Sequence, residues 1–550
     1  MNAVQSVILY DGVSWTSSPQ WSFQYAANAD GSNYGDLTQI TLPTGGTIKY
    51  SWGTTTLCGG SNPPATPVSR AVLSRKVNAN DGKGDQTTTY TNGVVTDAAG
   101  NDTVHVINPP VGSCSLYETE TDYYAGTGSG RTLLKTVQTT YTSTTNPFDQ
   151  FGDGTITAAN VVPTIVTTKW PIPNTQNFLV SQVQTDWDQG FSFAVVPGGE
   201  LWTTGGTYGL PIQKREYGYG VNTPGPLLRK TVYTYAALTN PSYLSANVLT
   251  PVTSVTVYDG SGTELSQTTN TYDGTNLQSS GVTTGHNSVA NPGYRGNLTL
   301  VQKWLKSTGG QVTTAQTSYY DTGMPYISTD LKNNQTQYTY NSAYAGAYVT
   351  QTQYPNTGSP AVSHIIKGGY DFNTGLLTSF TDQNTQTSNY YYDLLGRMTS
   401  ASYPDGGSVN FSYTDTVPVQ IQKTVAITSG LNKVTNSVFD GLGRVSETQL
   451  HDPDCTVGSG LVKVDYTYGP DTTQNTHYTT TTTPYCDTPG TLYGLPSRTD
   501  SDALGRVVKV TQTDGSLVAC RRVTITRLLA SKLSWPLAVK SYSPNNSSPI

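Results

Sequence analysis

One short phrase recurs in this chain and restricts what it can fold into: an aspartate, two residues, a glycine and an arginine, at 393–397, 440–444 and 502–506. An aspartate side chain accepts hydrogen bonds from the backbone N–H groups that follow it, and glycine tolerates φ > 0. Asp393 to Gly396 therefore reads as a tight turn leading into a strand over 397–403. Pro404, Asp405, Gly406 and Gly407 then supply the fixed φ, the acceptor and the permissive backbone of a reversal. In the returning stretch Val409, Phe411 and Tyr413 alternate with Ser408, Asn410 and Ser412, the period of two expected of a strand with one buried face. The unit is a β-hairpin plus its connecting turn.

The same grammar appears along the chain. Tyr370, Asp371, Gly375 and Leu376 repeat the turn, and Tyr370, Tyr392 and Tyr413 follow one another at spacings of 22 and 21 residues. Tyr320, Asp321 and Gly323 open a further copy whose return strand closes on Tyr338 and Tyr340. Near the start, Gly35, Asp36 and Leu37 lead to a reversal at Pro43 to Gly46, after which Ile48, Tyr50 and Trp52 alternate with polar residues. Downstream, Phe439, Asp440, Gly443 and Arg444, and then Ser501, Asp502, Gly505 and Arg506, recur with loops between them. Elsewhere Leu-Leu-basic starts precede Tyr-rich strands, at residues 133–141 and 227–235. Short β segments fill the chain, and the best helical candidate is one turn or two around Val301 to Lys306. The fold class expected is all-β, an array of antiparallel hairpins.

Composition separates a folded array from a coil. Charged residues are only 12%, while hydrophobic residues reach 35% with 38 tyrosines and 55 glycines. That is too apolar for disorder, and it is rich in residues that suit a half-buried pleated surface. The net charge of -6 and the absence of a sustained basic stripe before residue 520 argue against a nucleic-acid partner. No apolar run is long enough to span a bilayer, and the first residues lack the pattern of a signal peptide, so export would be encoded elsewhere.

The three D-x-x-G-R segments, two of them preceded by Tyr392 or Phe439, resemble the tyrosine-aspartate repeats of the RHS family. The resemblance is strong over 370–515 and weakens to general hairpin grammar over 30–369, where the arginine is missing. It divides the chain into degenerate repeats at 1–369, an RHS/YD-repeat region at 370–519 and an atypical basic tail at 520–550. In the tail Arg521, Arg522, Arg527, Lys532 and Lys540 stand without acids. A frameshift or truncation at Cys520 is expected, with a short basic effector or anchor as the competing reading. The resemblance implies a spiralling sheet that closes as a hollow shell around a toxic C-terminal domain of the same protein, with secretion or display at the cell surface. The alternatives are a surface array whose tyrosine-rich faces hold glycans or a neighbouring cell, and, more remotely, a secreted hydrolase.

Candidate chemistry is sparse. Asp149, Asp153, Gly154 and Ile156 match positions of an EF-hand-type calcium loop, but Phe151 and Asn160 replace two ligand positions, so a plain Asp-Gly turn is favoured. The five histidines, His105, His286, His364, His451 and His477, show no metal-binding spacing and read as surface or loop residues. His451, Asp452, Asp454 and Cys455 cluster in a Pro-containing loop. The cysteines closest in sequence are Cys58 with Cys114 and Cys455 with Cys486; disulfides and buried free thiols are both open for them, and Cys520 is left over. No nucleophile elbow or P-loop is present, and no enzyme activity or cofactor is expected. Arg397, Arg444 and Arg506, each fixed after a turn glycine, are expected to hold the fold through ion pairs or at strand edges. Tyrosine hydroxyls are expected to reach water or a polar lumen.

Overall fold

The computed structural model describes residues 4–10, 15–26, 35–56, 68–108, 117–146, 157–195, 202–283, 285, 293–305, 309–428, 430–455, 460–487 and 494–518. Within them 35 strands join one antiparallel sheet, and Phe191–Val195 pairs separately with Trp202–Gly206. Nearly every strand pairs with its neighbours in sequence, so the sheet is a meander that runs without interruption across residue 370. The tail after residue 518 and the segment holding Asp149 and Asp153 lie outside the described residues, as do Cys58, Cys114 and His286.

The hairpin at Met398–Ser402 and Ser408–Thr414 forms as its sequence dictates. Ser400 stands opposite Asn410 and Ala401 opposite Val409, while Phe411 and Tyr413 are half-buried and Asn410 and Ser412 exposed. The turn glycines Gly396, Gly443 and Gly505 have φ of 75°, 78° and 73°, a conformation a Cβ would strain. Between hairpins a register shift falls repeatedly on the aromatic before the turn, at Tyr235, Tyr272, Tyr319, Tyr392 and Phe439. Such a bulge turns a side chain out of strict alternation, and here it re-aims the ring.

The wall is one sheet thick. The chain exposes 33186 Å², whereas a compact chain of its mass would expose about 19,000 Å². Few side chains are fully buried, and one small apolar cluster, Ala236, Ala237 and Tyr243, gathers Val248, Leu249 and Tyr272 around it. Neighbouring hairpins therefore supply most of each other's burial, as in other repeat arrays.

Two expectations need correction. Val301 lies in the strand Leu298–Leu305, not in a helix, because both faces of a one-layer wall are half-buried and apolar residues need not alternate there. The α-helices among the described residues are instead Ala236–Thr239 and Pro241–Ser245. Nor are all strands short: Thr132–Asn146 and Thr157–Pro171 each run 15 residues.

Candidate functional site in the turns and the seam

Three structural devices recur, and each is built from residues that the repeat places at fixed points. The first is the turn itself. Asp393 accepts hydrogen bonds from the backbone N–H of Leu395 at 3.0 Å and of Arg397 at 2.9 Å, and from Arg397 Nε at 2.7 Å. The rest of the guanidinium forms a fork on Asp415, at 2.7 and 3.0 Å, and lies 4.2 Å from the centre of the Tyr413 ring. Asp440 with Arg444 over Tyr468, at 4.3 Å, repeats the clamp. Asp502 holds Arg506 with bonds of 2.8 and 2.6 Å, and that guanidinium stands 5.5 Å from Trp170. Bidentate, ring-stacked geometry of this kind is what arginine provides and lysine does not.

Two further clamps escaped the sequence reading, because their partners are not in D-x-x-G-R order. Arg131 donates to Asp102 at 2.9 Å over the Tyr124 ring at 4.0 Å. Arg498 donates to Asp500 at 2.9 and 2.6 Å and to Asp471 at 2.7 Å over Tyr478 at 4.3 Å. The bond from Thr473 and then that from Arg498 hold the Asp471 carboxyl down to about 2.

The second device is a clasp at the mouth of several hairpins. The hydroxyl of the last ring in the return strand donates to the carbonyl of the first residue of the outgoing strand. Tyr392 does so to Leu377 at 2.9 Å, Tyr413 to Met398 at 2.8 Å, Tyr468 to Val445 at 2.9 Å, Tyr319 to Leu298 at 2.8 Å and Tyr272 to Val252 at 2.9 Å. Trp52 does the same to Leu37 through Nε1 at 2.8 Å. This corrects the expectation that the hydroxyls reach water or a lumen. A register shift falls at the ring for Tyr272, Tyr319, Tyr392 and Trp52, while Tyr413 and Tyr468 make the same bond from regular pairing.

The third device is a seam. Hydrogen bonds join residues 362 to 397 apart in sequence, so the sheet completes one round and the second round seats its turns on the first. Gly46 N–H donates to Gly441 O at 3.0 Å, and Gly441 N–H donates to Ala79 O at 2.6 Å. Thr44 Oγ1 also donates to Gly441 O. Lys83 Nζ donates to Tyr468 O at 3.1 Å, and Asn475 Nδ2 to the carbonyls of Ala99 and Gly100 at 3.1 and 3.0 Å. His477 Nε2 meets Asp97 Oδ2 at 3.0 Å. The Asp97 bond holds the His477 imidazolium on above its ordinary range.

The seam explains a departure within the repeat. The second motif position is Leu394 in one copy, Gly441 in the next and Ala503 in the last. A Cβ on Gly441 would meet Ala79 O at 2.5 Å and Gly46 Cα at 2.7 Å, so glycine stands where two backbones touch. On the same rim upstream, Leu394 is 74% and Phe372 53% exposed.

The remaining predicted residues fall as follows. Tyr370, Asp371 and Gly375 form a turn in which Asp371 accepts from Asn373 N at 3.1 Å and Thr374 N at 2.9 Å, with no arginine to clamp. Cys455 and Cys486 are joined as a disulfide with Cα atoms 5.7 Å apart, tying the 452–460 loop to the strand edge. The four described histidines lie in strands rather than loops, and His105, His364 and His477 are all hydrogen-bonded. Among the described residues no group of three or more metal-ligating side chains gathers, and no helix is long and apolar enough to cross a membrane.

Comparison with known proteins agrees with this architecture. No curated protein matches by sequence. The crystal structure of TcdB2-TccC3-TEV matches with a TM-score of 0.50 and 9% identity, over 92% of this chain and 35% of that one. The crystal structure of TcdB2-TccC3 matches over 91% and 30% at 10% identity and a TM-score of 0.26. A structure of the Photorhabdus luminescens Tc holotoxin pore matches over 90% and 31%, at 10% identity and a TM-score of 0.24. The chain thus spans about a third of the length of the structures it resembles. Residues 370–408 match the family model described as RHS Repeat, and the same antiparallel sheet continues on both sides of them.

Proposed function

We propose that this chain is non-catalytic wall: a stretch of an RHS-type shell that encloses or presents an effector polypeptide carried C-terminal to it. The observation that supports this most is the seam, where a sheet one layer thick closes on itself and stacks a second round on the first. A packed domain buries its sheet faces against another layer; a wall leaves one face for a lumen. In this reading residues 370–519 are the motif-complete part and 1–369 a degenerate part of the same wall. The D-x-x-G-R turns from Asp393, Asp440 and Asp502, with Tyr392 and Phe439 before them, and the Tyr370, Asp371 and Gly375 turn, keep the hairpins in register. The uncovered rim at Phe372 and Leu394 is where more wall seats, as Val417 on the same rim packs on Gly45. The protein acts outside the cell or at its surface.

The test is electron cryomicroscopy of the full-length gene product together with limited proteolysis. The expected result is a closed shell with polypeptide density inside, and an inner segment that resists protease until the seam is broken. An open sheet, or a C-terminal segment cleaved as fast in the intact protein as in the seam variant, would refute enclosure.

A further inference from the structure

We propose that the Cys455–Cys486 disulfide is a redox latch: it holds the strand Tyr485–Cys486 as a cover over a stretch of sheet edge, and a thiol reductant releases that cover. The inference does not depend on what the wall encloses. It starts from a mismatch in strand length. Leu461–Asp471 runs 11 residues. Val462 and Lys463 are flanked on one side by the strand Val445–His451 and on the other by Tyr485–Cys486. Thr476–Thr482 runs along that second side too, but its ladder stops at Tyr466 opposite Thr481. The strand that carries the sheet onward, Pro496–Ser501, pairs with Thr476–Thr482 and ends with Pro496 opposite Thr482. The start of Leu461–Asp471, away from the seam bond at Tyr468, therefore lies in a notch.

The noncovalent hold on the cover is thin. It pairs at two positions only, Val462 with Cys486 and Lys463 with Tyr485, far less than a free-standing ladder needs. Asp487 N–H donates to Leu461 O at 2.9 Å, and the Tyr485 hydroxyl donates to Asp465 Oδ2 at 2.6 Å. Lys463 Nζ lies 3.0 Å from Asp487 and 3.3 Å from Glu447, partly exposed ion pairs of a kind that contributes little. The two ends of the disulfide differ. Cys455 is 3% exposed, and its N–H donates to Asp452 O at 3.1 Å in the turn after Val445–His451. Cys486 is half-buried in the cover itself. The anchor is fixed, and the cover is the part able to leave. Its departure need not disturb the neighbouring ladder, because Thr483 N–H donates to Leu495 O at 2.9 Å and Leu495 N–H to Thr483 Oγ1 at 3.0 Å, closing the chain just beyond that ladder's last pair.

The chemistry is thiol–disulfide exchange with a dithiol. One thiolate of the dithiol attacks the sulfur of Cys486, the S–S bond breaks, and Cys455 leaves as a thiolate that takes a proton from solvent. The second thiol, giving up its proton, displaces Cys486 from the mixed disulfide, and Cys486 is protonated in turn. The two cysteines end reduced and the dithiol ends oxidised to a disulfide. With the cover lifted, the backbone groups on that side of residues 461–463 are open to another strand. The notch is thus closed in oxidising surroundings and open in reducing ones.

The experiment combines peptide mapping without reductant and hydrogen exchange read by mass spectrometry, both on the full chain. The air-oxidised protein is expected to yield a peptide linked through Cys455 and Cys486. Dithiothreitol is expected to speed exchange at 461–463 and 485–487 by about tenfold or more, the signature of local opening. Residues 466–471 of the same strand and the hairpin at 398–414 should keep their protection. Cys486→Ser should exchange like the reduced wild type with or without dithiothreitol, which assigns the change to this disulfide and not to the other cysteines. Should that variant fold poorly, Cys455→Ser replaces it. Free thiols at both positions in the oxidised protein, or protection at 461–463 that survives reduction, overturns the proposal. So does a loss that spreads equally to 466–471, or a serine variant that still responds to dithiothreitol at 461–463.

Discussion

Replacing Gly441 by leucine should open the seam while improving the local match to the repeat. Leu394 and Ala503 occupy the same motif position, and Gly441 is not among the positive-φ glycines, so its turn tolerates a side chain. A side chain there nevertheless begins 2.5 Å from Ala79 O and 2.7 Å from Gly46 Cα, both backbone atoms that cannot rotate away. The rounds must part locally, losing Gly46 N–H to Gly441 O, Gly441 N–H to Ala79 O and the Thr44 bond. Two or three hydrogen bonds at about 1 kcal/mol each, and more where a donor is left dry, give a loss of about 2–5 kcal/mol. Hydrogen exchange read by mass spectrometry checks it: amides at 44–46, 79–83 and 97–100 should lose protection in Gly441→Leu, while those of the hairpin at 398–414 should not. Leu394→Gly serves as the control and should leave the seam intact. Equal protection in Gly441→Leu and wild type would refute the close-approach argument.

Tyr413→Phe removes the clasp to Met398 O and should cost about 0.5–1.5 kcal/mol in urea unfolding; Tyr391→Phe, whose ring is exposed, should cost nothing measurable. Burial raises the hydroxyls of Tyr272, Tyr319, Tyr392, Tyr413 and Tyr468 above their ordinary value. Their contribution is complete below about pH 10 and is lost as pH rises through the higher folded values. Tyrosinate absorbance should therefore lag free tyrosine and appear together with unfolding. At the seam, the Asp97 bond raises His477, so that contribution is complete below about pH 6.5 and fades as pH rises through the raised value. For Asp97, burial works upward but the His477 and Asn101 bonds outweigh it, so its contribution is lost only on acidification through a depressed value. Seam protection should be greatest between about pH 4 and 6.5, and His477→Gln should flatten that profile. Arg397→Lys keeps the charge but loses the fork on Asp415 and the stacking on Tyr413, at a cost of about 1–3 kcal/mol in the same urea assay.

What was legible in the sequence was local. The Pro404 to Gly407 reversal, the alternation through Tyr413 and the D-x-x-G-R turns all act within a few residues, and each is where its residues imply. The helix after Tyr235 was missed although Asn240 and Pro241 form a recognisable start, with Asn240 accepting from Ser242 N–H at 3.0 Å. Val301 misled because a wall half-buried on both faces weakens the strand period. The tyrosine clasps join the end of one strand to the start of another, a closure set by the pairing of the two strands and not by either stretch alone. The seam joins residues nearly 400 apart and leaves a single trace, a glycine at position 441 where the motif elsewhere carries a side chain.

Small-angle X-ray scattering of the purified chain tests the one-layer wall most directly. A compact chain of 550 residues would have a radius of gyration of about 24 Å. The closed single sheet predicts a clearly larger radius, a pair-distance distribution skewed toward long distances as in a hollow body, and a further expansion in Gly441→Leu. A radius near the compact value with a symmetric distribution, unchanged in that variant, would contradict the wall.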